Sequence, residues 1–241
     1  MCSVSWLPHD TGYDLFFNRD EQRTRPTAEL PSLQTEASTK YLSPKDPQGG
    51  GTWIFVNKHG LTTCLLNAYQ QETSEPPQNP TSRGLLVKSL ASCQRRQDLE
   101  AKLQQLLQTH AYSPFYLLAL DAHQQVSFWL WNSRNLQSIQ APALPFFTTS
   151  SQHPETVLNF RKNTATVAIE QNGLNPETLK NLHMATGIPA SKKTIKMSRQ
   201  DARTVSFTQI TVQPNLATMH YAEREEDLDF QKTTTTRLPL S

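Results

Sequence analysis

The stretch Met1-Cys2-Ser3-Val4-Ser5-Trp6-Leu7-Pro8-His9-Asp10-Thr11-Gly12-Tyr13-Asp14-Leu15-Phe16-Phe17-Asn18-Arg19-Asp20-Glu21 decides how this chain is read. Val4 and Trp6 alternate with Ser3 and Ser5, the pattern of a half-buried strand. Pro8 to Gly12 reads as a turn and Tyr13 to Asn18 as a returning strand. The hairpin brings Asn18 to Glu21 back beside Cys2. Cysteine is small enough for the preceding methionine to be trimmed. Trimming leaves Cys2 with an α-amine titrating at roughly 7.7–8.0 and a thiol at roughly 8.5. One residue then carries a nucleophile and its own general base. The alternative is that Cys2 is a small residue opening an edge strand.

Beyond the hairpin, residues 22 to 49 contain Pro26, Pro31, Pro44 and Pro47 and show no period. They read as a long loop bordering a pocket as a mobile lid, the alternative being a rigid surface loop pinned by its prolines. Gly49-Gly50-Gly51 leads into a strand from Thr52 to Asn57, and Leu61 to Asn67 returns. Another Pro-rich loop runs from Gln70 to Thr81. Ser82 is placed to cap a helix from Arg83 to Cys93. Leu99, Leu103, Leu106 and Leu107 give a second helix from Gln97 to His110. Phe115 to Asp121 and Val126 to Trp131 make a second hairpin.

A third helix from Pro154 to Gln171 sets Val157, Phe160, Val167 and Ala168 roughly on one face. A fourth, Asn175 to Thr186, has Asn175 as cap and Pro176 at its first position. Ala202 to Val212 and Leu216 to Tyr221 form a last hairpin. Residues 1–222 read as one domain, and residues 223–241 as a flexible tail. Hairpins and helices in this order fit an α+β sandwich, sheets inside and helices outside.

Composition narrows the function. A net charge of +2 without a dense run of Lys or Arg disfavours nucleic acid. Three cysteines, Cys2, Cys64 and Cys93, are odd in number and widely spaced, so neither a disulfide framework nor a zinc site is expected. The seven histidines are scattered singly, and no metal or other cofactor is called for. The longest apolar run, Pro114 to Leu120, is too short to span a bilayer. With no signal segment visible, a reduced, cytoplasmic setting is the default. Oligomeric state is left open.

The motifs resemble the NRDE family, to which the transport and Golgi organisation type 2 proteins belong. The resemblance rests on Met1-Cys2, the Asn18-Arg19-Asp20-Glu21 box, Arg23 and Arg25-Pro26. It continues through Gly50-Gly51-Thr52-Trp53, Asn57, Gly60, Leu65-Leu66-Asn67, Leu130-Trp131-Asn132, Thr149-Ser150-Ser151 and Asp201 to Ser206. It implies a four-layer αββα sandwich of the N-terminal-nucleophile hydrolase type. The activity it points to is hydrolysis of an amide or acyl bond of a small acylated substrate through Cys2. Eukaryotic members are associated with secretory-organelle organisation and with lipid or haem handling. The competing reading is therefore a non-catalytic carrier of a lipid-like or haem-related ligand on the same fold.

Each residue has a role under the first reading and a plainer one beside it. Cationic Arg19 favours the Cys2 thiolate, and Asp20 orients the α-ammonium, as an aspartate does in the related cysteine acylases. In those acylases the arginine lies a few residues before the aspartate; here it is adjacent. Alternatively, Arg19 and Asp20 form a structural ion pair. Neighbouring strand residues point to opposite faces, so only one of the two faces Cys2 unless the strand ends there. Asn67 is an oxyanion donor or a cap. Asn18, Trp53 and Arg203 are substrate-binding candidates. For Trp53 the alternative is a core position, and for Arg203 a surface pair or a buttress to Asp20. Cys64 reads as a core thiol, and Thr149-Ser150-Ser151 as a helix cap.

Overall fold

The computed structural model describes residues 2–69, 77–226 and 228–241. The Gln70–Thr81 loop lies partly outside them. Strands β1 (Cys2–His9) and β2 (Gly12–Gln22) form the expected hairpin, with Cys2 opposite Arg19 and Ser3 opposite Asn18. They join β10 (Phe146–Thr148), β11 (Ala202–Gln213), β12 (Leu216–Glu223) and β13 (Lys232–Pro239) in a six-stranded antiparallel sheet, ordered β10-β1-β2-β11-β12-β13. The second sheet has seven strands in chain order. They are β3 (Glu29–Glu36), β4 (Thr39–Lys45), β5 (Ile54–Asn57), β6 (Thr62–Asn67), β7 (Phe115–Leu120), β8 (Val126–Trp131) and β9 (Leu136–Ile139). Helices α1 (Arg83–Leu90) and α2 (Arg96–Thr109) cover the seven-stranded sheet, while α3 (Pro154–Asn172) and α4 (Pro176–Met184) cover the six-stranded one. This is the four-layer αββα sandwich.

Between the sheets Val4, Trp6, Leu15 and Phe17 meet Ile54, Val56, Leu118 and Leu120 in one apolar core, with Cys2 packed at its margin. The opposite face of β1 and β2 is not solvated, as the serine alternation suggested. Ser3 and Ser5 are fully buried under α3 and α4. Their hydroxyls are satisfied: Ser3 Oγ bonds Thr148 Oγ1 at 2.8 Å and Ser5 Oγ bonds His183 Nε2 at 2.9 Å. The alternation therefore separates an apolar buried layer from a mixed one, in which Ser3 and Ser5 lie among Phe16 and Phe207 and are tolerable because their hydroxyls are paired.

Three expectations are overturned. The lid of residues 22 to 49 is mostly a β-hairpin, β3–β4, at the edge of the seven-stranded sheet. Its turn residues Ala37 and Ser38 both have positive φ (44° and 71°), a geometry usually announced by Asn or Gly. Pro31 sits at a register irregularity on the edge strand, and Pro44 lies beyond the two residues of β4 that pair with β5. The tail does not fray: β13 pairs along β12 through β-branched Thr233 to Thr236 and buries Leu238. Helix α3 turns Val157, Arg161 and Ala165 inward and leaves Phe160 and Val167 43% and 46% exposed. Helix α4 follows expectation, with Asn175 Oδ1 accepting from the Thr178 amide at 2.9 Å.

Candidate functional site

The open ends of β1, β2 and β6, the loop of Asp46 to Trp53 and the start of α1 enclose a cleft of about 730 Å³. Cys2, Arg19, Asp20, Trp53 and Asn67 all line it. Asn18 and Arg203 do not. Asn18 is buried on the helix side, where its Nδ2 donates to the His183 carbonyl at 2.9 Å. Arg203, opposite Glu21 on β11, lines a separate cleft of about 430 Å³. Arg19, Glu21, Gln22 and Arg25 border both clefts and form the wall between them.

Register sets which side chain faces which layer. Cys2 and Arg19 are cross-strand partners, so both lie on the face of Val4 and Phe17, toward the other sheet. Asp20 lies on the helix face with Asn18. An irregularity in β11 between Thr204 and Ser206 lets Asp20 and Arg19 pair with those two residues in turn. Thr204 donates its hydroxyl to Asp20 Oδ1 at 2.5 Å. Arg161 Nη2 lies 3.6 Å from Asp20 Oδ2, and neither atom has a hydrogen-bond partner. The Cys2 carbonyl is held at 3.0 Å by both the Thr149 amide and the Thr148 hydroxyl. The Thr149-Ser150-Ser151 run is therefore not the α3 cap: His153 holds that position, and Ser151 lines the cleft.

Arg19 does not supply the thiolate with a free cation. Its guanidinium sits 4.0 Å over the Trp53 ring and its Nη2 is 3.1 Å from Glu21 Oε2. Burial pushes the Cys2 thiol up to about 11. The terminal amine's charge and the Asp20 backbone N–H pull it down, while Asp20 and Glu21 carboxylates oppose ionisation. Such a thiol is protonated at neutral pH and needs a base. Asn67 Nδ2 donates to the Tyr69 hydroxyl at 2.9 Å, leaving its second N–H available. Cys64 is core, with its thiol raised by burial.

The rim is charged and mixed in sign. Four arginines (Arg19, Arg25, Arg83 and Arg199) and four acids (Asp20, Glu21, Asp46 and Asp201) line the cleft. Arg25 bridges Asp46 and lies 3.6 Å from Glu21. Burial alone would raise the Asp46 carboxyl, but the Arg25 hydrogen bond and charge hold it below its ordinary value. Gly51 closes the wall: a Cβ there would lie 2.1 Å from the Gly84 carbonyl carbon, so only glycine lets this loop touch the start of α1. Arg25, Asp46, Arg83, Arg161 and Arg199 were not singled out from sequence. Arg25-Pro26 within the family motif was the one signal pointing at any of them.

Among the described residues no group of three or more His, Cys, Asp or Glu is placed to hold a metal ion. No helix there is long and apolar enough to cross a membrane.

Two antiparallel sheets between helix layers, with a cysteine at the end of the first strand, define the N-terminal-nucleophile hydrolase fold. Solved structures agree. A variant of conjugated bile acid hydrolase from Clostridium perfringens superimposes with a TM-score of 0.60 at 9% identity, over 98% of this chain and 92% of that one. The Caenorhabditis elegans ortholog of N-acylethanolamine-hydrolyzing acid amidase gives 0.52 at 12%, over 87% and 92%. Penicillin V acylase from Agrobacterium tumefaciens gives 0.52 at 9%, over 94% and 84%. The chain belongs to the Transport and Golgi organisation 2 family, whose model matches residues 1–227. A search of curated protein sequences finds no match.

Proposed function

We propose that this chain is an N-terminal-cysteine hydrolase that cleaves an amide or other acyl bond in a small, polar acylated substrate. The observation that carries the reading is Cys2 lining the charged cleft, its carbonyl pinned by Thr148 and Thr149, beside a buried Asp20 whose Oδ2 accepts no hydrogen bond. Hydrolytic removal of Met1 would free the α-amine, and Asp20 Oδ2 is an acceptor suited to it. The thiol proton passes to that amine as sulfur bonds the substrate carbonyl carbon. Collapse breaks the bond to the leaving amine or alcohol, which takes the proton. Water then attacks the thioester, releasing the carboxylic acid and restoring the thiol. Asn67 is the side-chain donor for the oxyanion. Trp53 and the rim arginines bind the substrate's polar part.

The thiol's rise to about 11 favours a second reading, a carrier for a lipid-like or haem-related ligand with Met1 retained. Intact-mass measurement before and after treatment with an activated acyl ester separates the two. The hydrolase reading expects loss of Met1 and one acyl adduct mapping to Cys2. Retained Met1, or acylation of Cys64 or Cys93 instead, sinks it.

A further inference from the structure

Arg161 is fully buried, a rare fate for an arginine, and two of its three guanidinium nitrogens are turned toward Thr148, which holds Cys2, and toward Asp20. From α3 its Nη1 donates to Thr148 Oγ1 at 2.9 Å and Ser3 Oγ at 3.3 Å, and its Nε to the Lys193 carbonyl at 3.1 Å. Thr148 in turn donates to the Cys2 carbonyl. The remaining nitrogen, Nη2, lies 3.6 Å from Asp20 Oδ2, and the two side chains are 0% and 1% exposed. One guanidinium thus reaches the backbone of Cys2 through Thr148 and the carboxylate of Asp20 directly.

We propose that Arg161 is the positioning residue of this site, holding Asp20 from the helix side so that Oδ2 stays anionic and open to the Cys2 α-amine. The role rests on the N-terminal-cysteine reading. A buried carboxylate without a cation takes a proton instead of a charge. Burial pushes Asp20 up, and among the charges that oppose this rise Arg161 comes first, ahead of the terminal amine and Arg199. The groups facing Asp20 are Arg161 from α3, Cys2 from β1, Thr204 from β11 and Arg199 from the segment before β11. His183 on α4, also near Arg161, is neutral: burial first, then Arg161, lowers it to about 3. The cation therefore has one buried carboxylate to serve. At 3.6 Å the contact is looser than a charge-assisted hydrogen bond, which leaves an Oδ2 lone pair for an ammonium donor.

The test uses the trimmed full-length protein and the rate of Cys2 alkylation by iodoacetamide from pH 5 to 9, read by peptide mapping. Arg161→Met is expected to slow labelling at pH 7 about tenfold and to displace the midpoint of its pH profile. Asp20→Asn is expected to slow it similarly, and the double variant to be no slower than Asp20→Asn alone, because Arg161 acts through Asp20. Arg161→Lys, which keeps the charge, is expected to recover part of the rate. Should Arg161→Met not fold, the double variant, which buries no unpaired carboxylate, carries the same comparison. A double variant markedly slower than Asp20→Asn, or a folded Arg161→Met with wild-type rate and profile, overturns the role of Arg161 alone. Wild-type labelling in Asp20→Asn, with Cys2 no more reactive than Cys64 or Cys93, overturns the hydrolase reading and this inference with it.

Discussion

Two hollows of similar size lie in different parts of the molecule, one at the open ends of the strands and one along α3 and α4. The cleft at Cys2 is about 730 Å³ and is lined by four arginines and four acids. The groove on the helix layer is about 590 Å³ and is walled by Phe160, Ala168, Leu182, Ala185, Ile188 and Ile195. Cys2 opens on the charged one; the groove along α3 and α4 is mostly apolar. Burial of charge is costly unless the groups pair, and in the cleft they pair extensively: Arg19 with Glu21, Arg25 with Asp46, Arg161 near Asp20. Under the proposed hydrolase reading, a cleft so built suits a substrate with polar or charged groups around the scissile bond. A long apolar chain would find its complementary surface in the groove, where no proposed catalytic side chain lies.

The sharpest way to break this contrast is to compare Arg161→Met with Phe160→Ser, neighbours on α3. The first leaves Asp20 buried without its cation and is expected to cost about 3–5 kcal/mol in urea unfolding. The second removes a half-exposed ring from the groove and should change stability by under about 1 kcal/mol. Equal losses would erase the distinction between the two faces.

Acid should act through the polar layer beneath the helices. His183 is held neutral, at about 3, by burial and then by Arg161. Its unfolded value is roughly 6.5, so the unfolded chain binds the extra proton first. Stability attributable to His183 is therefore complete above about pH 6.5 and falls by up to about 1.4 kcal/mol per pH unit as pH drops toward the folded value. Asp20, raised by burial, acts in the opposite sense and is common to wild type and variant. Urea midpoints between pH 7 and 4 should be steeper for the wild type than for His183→Gln, and parallel slopes would refute the assignment.

Gly51→Ala probes the cleft wall. Its new Cβ would sit 2.1 Å from the Gly84 carbonyl carbon, so the loop must move, at about 1–3 kcal/mol. Cys2 labelling should change with it. Gly187→Ala, where nothing lies within 4 Å, meets only the strain of a φ of +72°, about 1–2 kcal/mol, and should leave labelling untouched. The smallest effect is expected for Ile188→Ser in the groove: within about 0.5 kcal/mol of wild type and with unchanged Cys2 labelling. A labelling change there would couple the two hollows.

The hairpin of Cys2 to Asn18, the strands on either side of Gly60, the four helices and the Asn175 cap are written in local patterns, and the structure reproduces them. The β3–β4 hairpin was hidden because Ala37 and Ser38 take positive φ without Gly or Asn, and because edge strands tolerate Pro31 and exposed Leu30 and Leu33. The β13 strand was hidden because a Thr-rich tail becomes a strand only when β12 offers it a ladder. Of the candidate residues named from sequence, Cys2, Arg19, Asp20, Trp53 and Asn67 line one cleft, while Asn18 and Arg203 lie elsewhere.

By itself the sequence determined the family, the hairpin that brings the Asn18-Arg19-Asp20-Glu21 box back to Cys2, and the small net charge of +2. Those depend on contacts between residues near in the chain or on total charge. Tertiary structure alone decided that Ser3 and Ser5 are buried, that Asp20 and Arg19 face different layers, and that Arg161 reaches Asp20 and, through Thr148, the Cys2 carbonyl. An arginine on an amphipathic helix reads as solvated until a carboxylate from a strand far away in sequence is found beneath it, since only a buried partner makes burying the cation tolerable.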